Sequence, residues 1–200
     1  MTRKLRKQII FPGALYHVVC RGVNEKNIFR HPRDYRKILK ILRNAKERYK
    51  FYLHSYSLMT NHFHLQIRVN DTPIFKIMHY VNTCYSMYFN WQYNRSGHLF
   101  QDRYYASLIN TESYFWIVSA YIDLNPVRAK LVERPEDYQW GSYRLYFQRD
   151  YNNDLVNCID FLESRGDGDL DTLCSDYLEF VNTESQKPKS PKFIKGDKFI

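Results

Sequence analysis

Two histidines, His62 and His64, stand two positions apart in residues 59–67, where polar and apolar side chains alternate. In a β-strand, residues i and i+2 lie on the same face, so Phe63 and Leu65 are expected to point into a core while both imidazoles point away from it. Two imidazoles held side by side on a rigid strand provide half of a metal site. The same spacing also suits two polar side chains on an exposed sheet face, so spacing alone leaves both interpretations open.

The composition predicts one principal domain outside the membrane. The chain has 200 residues, of which 44% are hydrophobic and 17% aromatic, and this is enough to bury a substantial core. It contains no apolar run of about eighteen residues, and the apolar stretch after the basic N-terminus is too short for a signal peptide. Four widely separated cysteines argue against a zinc ribbon and against a disulfide scaffold. We therefore expect no membrane contact and a cytoplasmic location.

Charge is unevenly distributed along the chain. Residues 1–132 contain 21 Lys and Arg against 7 Asp and Glu, a net charge of +14. Residues 133–182 contain 4 against 12 (−8), and residues 183–200 contain 5 against 2 (+3), which together give the overall +9. A basic body of this kind suits a polyanion, and nucleic acid is the first candidate. A basic surface that only aids solubility explains so large an excess less easily.

Hydrophobic periodicity and turn signals predict four strands and three helices in the body of the chain. The strands are placed at residues 14–21, 51–59, 62–69 and 98–109, with the second and third paired antiparallel. The helices are expected from Pro32, from Thr72 as N-cap with Pro73 in the first turn, and from Glu112 to about Leu124, where Pro126 ends the last one. This order predicts an α+β fold: a split β-α-β, ferredoxin- or RRM-like antiparallel sheet with helices on one face. The histidine face would then be open to substrate.

Three segments are expected along the chain. Residues 1–150 form the main domain with a basic N-terminal arm, residues 151–182 an acidic helical appendage, and residues 183–200 a basic, disordered tail.

A second constellation lies about sixty residues after the histidines, where residues 121–128 read Tyr-Ile-Asp-Leu-Asn-Pro-Val-Arg. Taken with the segments at residues 13–18 and 59–64, it resembles the single-tyrosine HUH transposases of insertion sequences, in particular their REP-associated branch. The resemblance covers about residues 11–147. One departure is Lys130, which stands where a glycine is common in the family. Without these motifs Tyr121, one of 18 tyrosines, would be interpreted as a core residue.

The resemblance implies an HUH endonuclease fold and a metal-dependent enzyme of the bacterial, nucleoid-associated cytoplasm. Tyr121 would be the nucleophile, and His62, His64 and Asn125 would hold Mg²⁺ or Mn²⁺, since this ligand set has no thiolate to favour zinc. Residues four apart share a helical face, so Tyr121 and Asn125 can approach the same ion. The implied reaction is cleavage and rejoining of single-stranded or hairpin DNA through a 5′-phosphotyrosine, by a monomer or homodimer.

Several side chains are further candidates for DNA contact. They are basic residues of the arm, a basic-aromatic group before the fourth strand, and the arginine of the tyrosine motif: Arg3, Lys4, Arg6, Lys7, Arg103, Tyr104, Tyr105 and Arg128. A non-catalytic RRM-like nucleic-acid binder is the competing class, although residues 62–69 lack the stacking aromatics of an RRM. A domesticated relative with a housekeeping role would keep the same chemistry.

Overall fold

The structure is a computed structural model that describes residues 11–187. Four strands form one antiparallel sheet in the order β2-β3-β1-β4, with β1 at Leu15–Arg21, β2 at Tyr52–Leu58, β3 at His62–Arg68 and β4 at Tyr105–Ile109. Helix α1 (Pro32–Tyr49) links β1 to β2, and helix α2 (Ile74–Gln92) links β3 to β4. This is the split β-α-β arrangement, so the predicted α+β class is confirmed.

Five further helices follow β4: α3 (Glu112–Asp123), α4 (Asn125–Arg128), α5 (Tyr143–Phe147), α6 (Cys158–Glu163) and α7 (Leu170–Ser185). The predicted start of α3 is confirmed, because Thr111 caps it and its Oγ1 accepts the backbone N–H of Tyr114 at 3.3 Å. No helix within residues 11–187 is long and apolar enough to cross a membrane.

Helices cover both faces of the sheet. On one face Phe63 packs near the ring of Phe29, which in turn contacts Tyr85 of α2. On the other face the Gln66 amide of β3 donates to the backbone carbonyl of Phe115 in α3 at 2.9 Å. The prediction that helices lie on one face only is therefore wrong. Helices can cover this second face because α3 supplies hydrogen-bond partners to polar side chains of β3 that would otherwise face solvent.

Two predicted boundaries differ in the middle of the chain. Helix α2 begins at Ile74 with Pro73, not Thr72, as its N-cap, because Pro73 has an extended ψ of 141°. The expected strand at residues 98–109 is shorter than predicted. Residues 98–104 form an irregular segment held by a single bridge between Gly22 and Phe100, and β4 starts only at Tyr105.

The end of the tyrosine helix also differs from the prediction. Helix α3 ends at Asp123, but Pro126 does not end the helical structure, because the short α4 follows Leu124 and carries Pro126 in its first turn. Proline is tolerated there because a first-turn N–H needs no helical partner. The chain then turns at Lys130, whose φ of +58° lies in the left-handed region that favours glycine.

The acidic C-terminal segment packs against the body of the protein. The indole of Trp116 on α3 lies 5.1 Å from the ring of Tyr177 on α7 and 5.8 Å from that of Phe161 on α6. Both Phe161 and Tyr177 are completely buried. Arg68 at the end of β3 pairs with Asp160 of α6. The segment expected to be a helical appendage contains the two helices α6 and α7.

The outer segments are only partly described. Helix α7 runs to Ser185, so the predicted tail over residues 183–200 begins too early by at least three residues. Residues 188–200 lie outside the described part of the chain, as do Arg3, Lys4, Arg6 and Lys7 of the arm. The division at residue 150 stays a prediction.

Candidate active site

The structure brings the histidine strand and the tyrosine helix together. The rings of His62 and His64 on β3 are 4.9 Å apart between centroids, and that of Tyr121 on α3 lies 5.8 Å from that of His64 with its plane nearly perpendicular. Their elements explain the meeting. Strand β3 directs its even-numbered side chains toward the face that α3 covers, and Tyr121 is near the end of that helix.

His62 and His64 each make a hydrogen bond to another side chain through their Nδ1 atom. His62 Nδ1 lies 2.7 Å from the Asn61 Oδ1, which can only accept, so this nitrogen carries the proton and Nε2 keeps a lone pair. His64 Nδ1 lies 3.0 Å from Nε2 of a third imidazole, His17 on β1. The Nε2 atom of His64 is buried and has no hydrogen-bond partner among the described residues. A buried nitrogen of this kind requires an explanation, and a coordinated ion provides one.

Burial keeps these imidazoles neutral. It lowers the pKa of His62 to about 4, with a further contribution from the positive charge of Arg21. The pKa of His17 is also lowered to about 4 by burial. That of His64 is lowered well below its ordinary value of 6.5 by burial and then by His17, His62 and Arg21. At neutral pH all three rings are therefore uncharged, which is the form that coordinates a metal ion.

Tyr121 is half-buried, and its pKa is raised above the ordinary value of 10.0 because burial disfavours the phenolate. Three influences act in the opposite direction: a hydrogen bond with Asn125 and the positive charges of Arg128 and Arg21. The Arg128 guanidinium lies 5.7 Å from the centre of the Tyr121 ring. The phenol is thus protonated at neutral pH, although two positive charges in its surroundings favour the phenolate.

Asn125 is fixed at the junction of α3 and α4. Its Nδ2 donates to the backbone carbonyl of Tyr121 at 2.8 Å, one helical turn back. This bond uses the nitrogen and leaves the amide oxygen for another interaction, as a metal ligand requires. Within residues 11–187, no group of three or more His, Cys, Asp or Glu side chains is arranged to hold a metal. The predicted set of two imidazoles and one amide stays a prediction.

Helix α3 is held to the sheet and to α7 by polar contacts on either side of Tyr121. Ser119 donates to the Gln66 side-chain oxygen, and the Gln66 amide donates to the Phe115 carbonyl at 2.9 Å. Beyond Tyr121, the buried Asp123 accepts the Tyr177 hydroxyl at 2.6 Å. Tyr121, the candidate nucleophile, therefore lies between two hydrogen-bonded residues of α3, Ser119 and Asp123.

The predicted DNA-contacting residues that are described take different positions. Arg103 is exposed, Tyr105 is half-buried at the start of β4, and Tyr104 is buried, which leaves little of its ring for a base. Arg128 lies beside Tyr121, as described above.

Sequence reasoning assigned no role to His17, although this buried residue contacts both His64 and Tyr121. A signal was present in the alternation of β1, where His17 is polar between two core residues, Tyr16 and Val18. Its neighbour His64 is 47 positions away, so only the pairing of β1 with β3 shows the contact.

A family model described as "Transposase IS200 like" matches residues 11–125, more than half of the chain. The chain belongs to this transposase family. The expectation drawn from the two histidine and tyrosine motifs is thereby confirmed at the level of the family. A comparison with curated proteins found no significant match.

Among solved structures, the fold is similar to that of a REP-associated tyrosine transposase bound to a REP hairpin. The two chains share 14% sequence identity with a TM-score of 0.62, and the alignment covers 85% of this chain and 93% of the other. The predicted HUH transposase fold is confirmed. A tRNA(His) guanylyltransferase from Saccharomyces cerevisiae aligns at 12% identity over 94% of this chain and 85% of its own, with a TM-score of 0.42.

Proposed function

We propose that this IS200-like transposase cleaves and rejoins single-stranded or hairpin DNA through a phosphotyrosine formed on Tyr121. The single observation that carries the proposal is the contact between the ring of Tyr121 and that of His64, whose buried Nε2 has no partner among the described residues. A nucleophile candidate next to imidazole nitrogens that can coordinate a metal ion suits phosphoryl transfer.

The residues present fit a divalent ion. His62 and His64 would hold Mg²⁺ or Mn²⁺ through their Nε2 atoms, and Asn125 through its amide oxygen. When bound, the ion supplies polarisation of the scissile phosphate and compensates the charge that grows in the transition state.

The protein's own residues would carry the bond changes. The Tyr121 oxygen gives its proton to water and attacks the phosphorus, the bond from phosphorus to the 3′ oxygen breaks, and that oxygen takes a proton from water and leaves as a 3′-hydroxyl. The downstream strand stays attached to Tyr121 through its 5′-phosphate. A 3′-hydroxyl of another strand then reverses the step, so no external energy source is needed. Arg128 and Arg21 favour the phenolate that attacks, because both lower the pKa of Tyr121.

Three findings support DNA as the substrate. The family is one of transposases, the similar solved structure is bound to a hairpin, and residues 1–132 carry a net charge of +14. On this basis we extend the proposal to the REP-associated branch and to hairpin DNA. Phe63 is completely buried, so the histidine strand offers no stacking platform at that position for an RRM-like binder.

The test uses labelled single-stranded and hairpin oligonucleotides, the full chain and Mn²⁺. We expect a covalent protein–DNA adduct that survives denaturant and falls at least about a thousandfold in Tyr121→Phe, the scale on which loss of a nucleophile acts. Tyr114→Phe, on the same helix and also half-buried, is the matched control and should retain the adduct. An adduct that persists in Tyr121→Phe would place the nucleophile elsewhere. A shifted complex without any adduct in the wild type would favour a non-catalytic binder.

A further inference from the structure

His17 lies between the two halves of the candidate site. In the β1–β3 pairing Val19 is opposite His64, so His17, two residues before Val19, projects from the same face and lies diagonally across from His64. The two imidazoles are nearly parallel, at 16°, with centroids 5.2 Å apart. Each is almost fully buried, with 2% exposure for His17 and 4% for His64.

The hydrogen bond between these rings has two possible directions. If His17 Nε2 carries the proton, then His64 Nδ1 accepts, and the proton of neutral His64 must be on its own Nε2. That atom would be a buried N–H donor with no partner among the described residues. If His64 Nδ1 carries the proton, then His17 Nε2 accepts, and His64 Nε2 keeps a bare lone pair. Only the second direction gives His64 an atom that can bind a cation.

We infer that His17 is a positioning residue that accepts the Nδ1 proton of His64 and thereby fixes the tautomer and orientation in which His64 Nε2 faces a divalent ion. Asn61 plays the same part for His62, whose Nδ1 it holds at 2.7 Å. The inference rests on the metal site of the proposed function. It concerns a residue that touches neither the ion nor the DNA in that proposal and acts only through His64.

The same ring also contacts the nucleophile candidate. His17 meets the Tyr121 ring edge-on, at 75° and 5.8 Å between centroids. Its loss could therefore act through packing alone, by moving Tyr121, without any effect on the tautomer of His64. A test must measure the proton position on His64, which a residue with a purely packing role does not set.

The first measurement is ¹⁵N NMR of the imidazoles in the full-length, metal-free wild-type protein, with His64 assigned by comparison with His64→Gln. We expect the proton of His64 on Nδ1, with Nε2 bare. A proton on Nε2 in the wild-type protein would overturn the inference without the need for any variant of His17.

The second measurement is Mn²⁺ binding, followed by EPR titration without DNA. His17→Phe keeps an aromatic ring against Tyr121 but has no acceptor, and we expect its Mn²⁺ affinity to fall about 10- to 100-fold, as for loss of other partners of metal-bound histidines. His17→Gln, whose amide oxygen can accept the His64 proton, should recover most of this loss. Equal Mn²⁺ affinity in His17→Phe and wild type would overturn the inference.

The outcome is separable from that of the proposed function. If the wild type binds Mn²⁺ and the His17 variants behave as expected, yet no covalent adduct forms on DNA, the strand-cleavage proposal fails and the assignment of His17 stands. If the adduct forms and His17→Phe binds Mn²⁺ normally, the assignment of His17 fails alone.

Discussion

Replacement of Asp123 by asparagine is expected to remove a pH-dependent loss of stability that is built into the tyrosine helix. Asp123 is 2% exposed and accepts hydrogen bonds from the Tyr177 hydroxyl at 2.6 Å and the Ser142 hydroxyl at 3.1 Å. Burial raises its pKa from 3.8 to about 7, and the two hydrogen bonds only partly oppose this. The folded protein therefore keeps a proton on Asp123 that the unfolded chain loses at lower pH.

The sign and size of this pH dependence follow from the difference in proton binding between the folded and unfolded states. Below pH 3.8 both states are protonated and Asp123 adds no pH dependence, whereas between pH 3.8 and about 7 the folded state binds more protons than the unfolded state. The free energy of unfolding contributed by Asp123 thus falls as the pH rises through this window. At about 1.4 kcal/mol per pKa unit, the difference corresponds to a loss of about 4 kcal/mol by pH 8.

Buried histidines change the pH dependence of stability in the direction opposite to Asp123. The pKa of His17 and of His62 is lowered to about 4 and that of His54 to about 3, in each case first by burial. Their folded states bind fewer protons than the unfolded chain below about pH 6.5, so their contribution to stability rises with pH. The wild-type curve is the sum of both trends. The difference between Asp123→Asn and wild type isolates the carboxylate.

The assay is urea denaturation of both proteins from pH 4 to pH 8. Relative to wild type, Asp123→Asn should gain about 4 kcal/mol between the two ends of this range. Asp176→Asn, an exposed position on α7, is the matched control and should stay within about 0.5 kcal/mol of wild type throughout. Parallel curves for Asp123→Asn and wild type would refute the argument, because the buried carboxylate would then have an ordinary pKa in the folded state.

Two further changes test the surroundings of the site. In Gly22→Ala the new Cβ would clash with the Lys26 carbonyl, which should lower the free energy of unfolding by about 1–3 kcal/mol in urea denaturation. The change should also weaken Mn²⁺ binding, because the Gly22 N–H donates to the carbonyl of Asn61 at 2.8 Å and Asn61 in turn contacts His62. Gly141→Ala, where no neighbour of the added Cβ is closer than 3.5 Å, is the control and should change little. Truncation after residue 147 should abolish the cooperative thermal transition, because it removes α6 and α7 from the apolar surface of α3. Loss of one large buried aromatic side chain costs about 3–5 kcal/mol, whereas the whole free energy of unfolding of a domain is about 5–15 kcal/mol. A truncated chain that unfolds cooperatively near the wild-type temperature would contradict this.

Local patterns predicted the elements of the sheet, whereas Tyr121 and Asn125 were singled out by the resemblance to the family. Alternation placed Phe63 in the core and His64 on the opposite face of β3, as found, whereas Tyr121 lies near the end of α3 and Asn125 begins the separate helix α4. These predictions succeeded because each depends on neighbours within a few positions of the chain.

The remaining features depend on contacts between distant segments. His17 and His64 are 47 positions apart, and Ser119 and Gln66 are 53 apart, so no local pattern contains either pair. The second covered face of the sheet was missed for the same reason: His64, Gln66 and Arg68 read as a solvent-facing set, whereas β1, α3 and α6 supply their partners.

The fixed position of α3 has a consequence for movement during the reaction. Polar contacts join this helix to β3 through Gln66 and to α7 through Asp123, and the rings of Phe161 and Tyr177 fill the space behind it. A swing of the helix would break a buried carboxylate contact and open the core on both sides. In the proposed cycle of cleavage and rejoining, the DNA ends would then be the parts that move, while Tyr121 keeps its position.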